Sequence, residues 1–222
     1  MKSPLIITTI SLLLSSAFVL NATAQAAETV PDNHSQADVS KQPKGFDKTL
    51  SLQGVSFHVS CANAGSINQL RIKPEGLKSD NTVIEREIEG TVTNAEVADL
   101  NVDGSPELYV YVTSAGSGSY GSLVAYAANK GKSLTEIYLP PIEESKKAAK
   151  GYMGHDEFAV VESSLIRRFP LYKSTDTNAA PTGGTRQIEY KLKAGEAGWV
   201  LKPPSDRYIL KNRPALSALE PL

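Results

Sequence analysis

Two serine hydroxyls and a phenol lie within four residues at Ser117-Gly118-Ser119-Tyr120, in a stretch made otherwise of glycine and small side chains. All three groups are neutral at physiological pH, and each can both donate and accept a hydrogen bond. Tyr120 adds rigid contact area, while the serines add adaptable hydrogen bonding. The flanks explain how such a group is presented. In Glu107–Thr113, Leu108, Val110 and Val112 alternate with Tyr109, Tyr111 and Thr113, and Leu123–Ala127 is again apolar, so Ser114–Ser122 is predicted as the tip of a β-hairpin. Gly116, Gly118 and Gly121 are expected to supply backbone angles closed to other residues and to keep the tip slim. A tip of this shape fits insertion into another protein's cleft.

Other residues offer competing chemistry. Asp99-x-Asn101-x-Asp103-Gly104-x-x-Glu107 places oxygen ligands at alternate positions before a glycine, as in the first half of a calcium loop. Val110 stands where that loop carries its closing carboxylate, so an Asx-rich turn is the preferred reading, with calcium as the alternative. His155-Asp156-Glu157 invites an acid/base or metal reading, but a metal site would call for a second histidine, and His34 and His58 are poorly placed. Ser117 as a nucleophile with His155 as its base lacks a strained elbow or any accompanying motif. Arg186, beside the Pro181–Thr185 turn, is expected either to position the Ser117–Tyr120 loop or to join its binding surface; an internal bridge to Asp176 is the plainer alternative.

The rest of the chain supplies compartment and scaffold. Met1-Lys2, the uncharged Leu5–Leu20 and Ala24-Gln25-Ala26 form a signal-peptide pattern with cleavage after about Ala26. No later stretch approaches the ~20 apolar residues of a spanning helix, so no membrane insertion is expected after cleavage. Residues 27–45 lack large apolar side chains and read as a flexible leader; residues 46–222 are expected to form a single domain. A net charge of −1 gives no reason to expect nucleic acid as a partner. The one cysteine excludes an intramolecular disulfide; Cys61 shares a strand face with Val55, Phe57 and Val59 and reads as a buried apolar residue. Alternation recurs at Val55–Cys61, Ile84–Val92 and Arg186–Leu192, with shorter runs at Leu70–Ile72, Leu134–Leu139, Phe158–Ile166 and Trp199–Leu201. Glu85, Glu87 and Glu89 read as a solvated acidic stripe. Many short strands between turn signals predict an all-β antiparallel sandwich, or alternatively a barrel, with one short helix at Pro141–Lys150.

With these motifs in place, the chain resembles the family of periplasmic inhibitors of I-type (invertebrate-type) lysozyme. The resemblance rests on Asp99-Leu100-Asn101-x-Asp103-Gly104, on Ser117-Gly118-Ser119-Tyr120, and on Tyr152–Gly198 with Arg167-Arg168-Phe169-Pro170, Asp176-x-Asn178 and Pro181-Thr182-Gly183-Gly184-x-Arg186. It implies a non-catalytic, cofactor-free β-sandwich, often a dimer, that pushes a loop into the lysozyme cleft. Ser117 and Tyr120 carry over as inhibitory residues. A second, assisting loop is also implied, with no residues assigned to it. The chemistry is consistent with this: lysozymes act with a protonated carboxylic acid and an ionised carboxylate, and a hydroxyl and a phenol can serve both without offering a bond to hydrolyse. The rival reading is a calcium-stabilised carbohydrate- or surface-binding β module using the Asp99 loop and exposed tyrosines.

Overall fold

Leu108, Val110 and Val112 face one hydrophobic core, and Tyr109 and Tyr111 face another, so the strand carrying them is buried on both sides. This strand separates the two cores. The structure, a computed structural model, describes residues 45–205 and 209–211; the expected signal segment, cleavage point, leader up to residue 44 and His34 lie outside the described residues.

Four strands, β1 (Phe46–Leu52), β2 (Val55–Cys61), β3 (Ile67–Glu75) and β4 (Ile84–Glu89), pair antiparallel in sequence order. A second sheet contains β5 (Thr91–Ala98), β6 (Glu107–Thr113), β7 (Gly121–Ala128), β8 (Leu134–Tyr138), β9 (Glu157–Val161), β10 (Ser164–Pro170), β11 (Thr185–Ala194) and β12 (Trp199–Lys202), with β13 (Ile209–Lys211) on β11. Its order is β5-β6-β7-β8-β12-β11-β10-β9, and β8 with β12 is the parallel pair. The fold is all-β.

The first sheet stacks on one face of β5–β7, burying Phe57, Val59, Leu70 and Ile72 against Val92, Leu108, Val110 and Val124. The larger sheet curls back so that the other face of β6–β7 meets Leu165, Phe169, Ile188, Tyr190 and Leu201. Glu96 links its two ends, accepting from Val160 N at 2.8 Å and from the Tyr111 hydroxyl. Sandwich and barrel are thus both present: a small sheet is layered on a sheet that nearly closes on itself. Cys61 is buried on the expected face, and Glu85, Glu87 and Glu89 are exposed as expected. Among the described residues, no helix is long and apolar enough to cross a membrane.

Several expectations need correction. The predicted strand Ile84–Val92 is two strands in different sheets, broken at Gly90, whose φ of 111° turns the chain out of one layer into the next. Phe158–Ile166 is a hairpin: Val161 pairs with Ser164, and Glu162 at φ 51° makes the turn. Pro141–Lys150 is not one helix. A 3-10 turn, Ile142–Glu144, and a single α-turn, α1 (Lys146–Ala149), are separated by Ser145, which is extended and caps the second through its hydroxyl. The strand at Phe46–Leu52 was missed because Lys48 interrupts its apolar face; its ammonium reaches across to the Ala95 carbonyl at 3.0 Å.

Candidate functional site

The β6–β7 ladder ends at the Thr113–Gly121 pair, and Ser114–Tyr120 forms the tip. Ser114 braces it from within: its N–H donates to the Tyr120 carbonyl and its hydroxyl accepts from Tyr120 N–H, both at 2.9 Å. Ser119, at φ 42°, donates through its N–H to the Gly116 carbonyl at 3.1 Å. The glycines serve differently from expectation. Gly116 alone of the three has a positive φ (127°). A Cβ at Gly118 would lie 2.4 Å from the Tyr120 ring, and one at Gly121 2.5 Å from the Asp156 side chain, so both are glycine for space. Ser117 is exposed, and Tyr120 keeps 48% of its surface in solvent.

A strap following α1 runs beneath this tip. Gly154 has φ 88°, and any Cβ there would sit 2.0 Å from the Gly118 carbonyl oxygen, so only glycine permits the contact. The next N–H, of His155, is shared between the carbonyls of Gly118 at 2.8 Å and Ser119 at 3.2 Å. Asn178 supports the tip from the other side, donating through Nδ2 to the Ser117 carbonyl. The Tyr172 hydroxyl in turn donates to the Asn178 carbonyl at 3.0 Å.

Asp156 lies at the base of the strap with no exposed side-chain surface. Oδ1 accepts from Arg167 Nε at 2.7 Å; Oδ2 accepts from the Tyr152 hydroxyl at 2.7 Å and from Gly121 N–H at 2.8 Å. Arg167 Nη2 donates to the same Tyr152 oxygen at 2.8 Å. The guanidinium lies over the rings of Tyr152, Phe158 and Phe169, 5.2–5.9 Å from their centroids. Burial, the largest single effect, would lower the Arg167 pKa, but the charge and hydrogen bond of Asp156, with Tyr152 and Tyr190 nearby, together raise it. Burial first, then Asp156, raises the Tyr152 phenol, partly opposed by Arg167. The Tyr152 ring meets Tyr120 edge-on at 5.7 Å and Phe169 at 4.8 Å. An ionic and aromatic column therefore runs from the core to the tip. Beside it, an open groove of about 380 Å³ lies between Tyr120, Tyr138, Pro141 and Tyr152.

The remaining candidates do not form a reactive or metal-binding group at this tip. His155 Nε2 is 3.2 Å from Asn178 Oδ1, and Asp156 is committed to Arg167, so the strap carboxylate and imidazole serve structure. His58 pairs with Asp47 at 3.1 Å. The Asp99 loop is a hydrogen-bonded turn: Asp99 accepts from Asp103 N–H and Gly104 N–H, and Glu107 from Leu100 N–H. Carboxylate oxygens of Asp99, Asp103 and Glu107 lie within 4.8 Å of one another and could hold an ion. Glu107, however, is almost wholly buried; desolvation pushes its pKa up to about 8, so it is largely protonated at neutral pH and a poor cation ligand. Arg186 does not bridge to Asp176. Its guanidinium donates to the carbonyls of Lys147, Ala148 and Lys150 at the end of α1, whereas Asp176 accepts from Lys173 N–H, Thr182 N–H and the Thr182 hydroxyl.

Sequence reasoning gave no roles to Tyr152, Arg167 and Asn178, and read Asp156 only as part of an acid/base group. A usable signal was present. Arg167 and Arg168 stand inside the apolar run Leu165–Phe169, and a charge in such a strand requires a buried partner.

No curated protein and no solved structure matches the chain. Residues 60–150 match the family described as "Periplasmic lysozyme inhibitor of I-type lysozyme". That stretch holds the whole β6–β7 hairpin, its tip and the Asp99 turn, and it ends just before the strap. The family is one of inhibitors, not of enzymes. Through residues 60–150, less than half of its length, the chain is similar to the family of periplasmic lysozyme inhibitors of I-type lysozyme.

Proposed function

We propose that this protein inhibits an I-type lysozyme by inserting the Ser117-Gly118-Ser119-Tyr120 tip into the enzyme's active-site cleft. The observation that carries the reading is the hairpin itself. An exposed Ser117 and a half-exposed Tyr120 project from a strand pair rooted between two cores, within the segment matched to the inhibitor family. A rigid projection loses little freedom on docking, so more of its contact energy appears as affinity. In the cleft, the Tyr120 phenol and the Ser117 hydroxyl donate to the ionised carboxylate or accept from the protonated one. Neither contains a glycosidic bond, so inhibition is competitive and non-covalent. Gly118 and Ser119 contribute the close backbone approach, and Arg186 acts at a distance, holding the α1 end from which the strap departs. The protein works in the periplasm after signal cleavage near Ala26, protecting peptidoglycan from host lysozyme.

The test is residual activity of an I-type lysozyme titrated with wild type, Ser117→Ala, Tyr120→Ala and the double variant. Losing a central aromatic anchor costs about 2–4 kcal/mol, roughly 30- to 1000-fold in affinity. Ser117→Ala costs about 1–3 kcal/mol, because a buried carboxylate loses its partner. Wild-type potency in a folded double variant defeats the insertion reading, and so does a wild-type protein that inhibits no I-type lysozyme.

A further inference from the structure

The β6–β7 ladder is continuous, but the outer edge of β7 is only partly covered by a neighbouring strand. β8 pairs with β7 only over Tyr126–Ala128, so the Gly121 end of β7 lies beyond that ladder. There Gly121 N–H donates to a side chain, Asp156 Oδ2, at 2.8 Å. The acceptor is costly to place. The Asp156 side chain is fully buried, and a carboxylate in that position requires compensation from Arg167, whose side chain is only 6% exposed. A buried ion pair is a poor means of gaining stability, since an apolar pair of the same volume often does as well; its advantage is directional. Here the direction is plain. One carboxylate oxygen takes Arg167, and the other takes both the tip's last backbone N–H and the hydroxyl of Tyr152, whose ring abuts Tyr120. The two residues before Asp156 in the strap complete the clamp, with Gly154 against the Gly118 carbonyl and His155 N–H donating to it.

We infer that Asp156 is the positioning residue of the inhibitory tip: held by Arg167, its carboxylate fixes the backbone at Gly121 and the ring of Tyr152, and so sets Tyr120 in its binding orientation before lysozyme arrives. This rests on the insertion reading for its consequence, though not for its geometry. Asp156 touches no lysozyme atom; it acts through Gly121, Tyr152 and the tip. Its removal therefore lowers affinity by returning conformational freedom to the tip, freedom that must be lost again on docking.

The experiment has two arms, both on the mature protein. Amide hydrogen exchange follows Gly121 and His155 in the free inhibitor, and lysozyme titration follows inhibition. In Asp156→Asn, exchange at these amides accelerates about 10- to 100-fold, and inhibition weakens about 10-fold. Combined with Tyr120→Ala, Asp156→Asn adds less than about a 2-fold further loss, because its effect passes through that ring. Ile88→Ala, in the core between the two sheets, is the control for general destabilisation: it lowers the melting temperature but leaves tip exchange and inhibition by folded protein unchanged. Should Asp156→Asn not fold, Tyr152→Phe decides, since it deletes only the hydroxyl; about 3-fold changes in both arms are expected. Wild-type exchange at Gly121 and His155 in the folded variants overturns the positioning role, as does a loss that multiplies independently with Tyr120→Ala. Failure of the wild type to inhibit overturns the insertion reading instead, and the exchange arm still decides the positioning.

Discussion

His155 and Asn178 fix each other's orientation. The Asn178 carboxamide turns its nitrogen to the Ser117 carbonyl, so its oxygen faces His155 Nε2 at 3.2 Å. An oxygen in that place requires a donor, which assigns the proton of the imidazole to Nε2. His155 also stacks on Tyr172, whose hydroxyl returns to the Asn178 carbonyl, closing a small ring of contacts under the tip.

Asn178→Asp keeps the oxygen facing His155 but replaces the donor to Ser117 with an acceptor. Inhibition is expected to weaken by about 5- to 30-fold, equivalent to 1–2 kcal/mol. The melting temperature should barely move, because the residue is only half-buried and lies outside both cores. A large fall in melting temperature with unchanged inhibition would assign Asn178 to the scaffold and not to the tip.

Arg186→Ala removes donors to three backbone carbonyls at the end of α1. The expected cost is about 1–3 kcal/mol, or roughly 3–9 °C in melting temperature for a domain of this size. Inhibition by the folded fraction should fall less than for Tyr120→Ala. Lost inhibition at unchanged melting temperature would instead place Arg186 in direct contact with lysozyme.

Glu107 gives the protein a pH signature. Its folded pKa, pushed up to about 8 by desolvation first, exceeds the ordinary carboxylate value of 4.5. The folded state then holds a proton that the unfolded chain releases. Stability from this group is full below pH 4.5 and is lost as the pH rises to about 8, by on the order of 5 kcal/mol. Glu107→Gln should flatten denaturation midpoints across that window. An equally steep decline in the variant would place the titration elsewhere.

Calcium should have little effect. Asp99 is occupied by the N–H groups of its own turn and by Gln53, and Glu107 is largely protonated at neutral pH. Melts in millimolar calcium and in chelator are expected to agree within about 2 °C, less than the shift that ligand at 100 times its Kd would give. A larger rise with calcium would favour the carbohydrate-binding alternative.

Local pattern revealed the parts of this molecule that obey it. Val55–Cys61 and Arg186–Leu192 alternate cleanly because each has one buried face, and the hairpin from Glu107 to Ala127 stood out through two apolar runs around a glycine-rich tip. Pattern failed where tertiary geometry overrode it. Nothing local distinguishes Ile84–Val92 from one strand, because the close approach of Gly90 to Thr113 is a long-range contact. The support of the tip was hidden for the same reason: Asp156, Arg167 and Asn178 are far from Ser117 in sequence, and hydrogen bonds to backbone groups leave no periodic trace. The alternative of an Arg186–Asp176 bridge fails for the same reason: a carboxylate ten residues away is a more visible partner in sequence than three backbone carbonyls.

The double burial of β6 also says where this protein can change. From Leu108 to Val112 every side chain is enclosed, so a polar substitution or a one-residue slip would disturb two interiors at once. Between Thr113 and Gly121 no residue belongs to either core. The hairpin is therefore a fixed handle with an exchangeable bit. New targets can be sought by rewriting Ser117, Ser119 and Tyr120 alone, provided the backbone still passes Gly154 at Gly118.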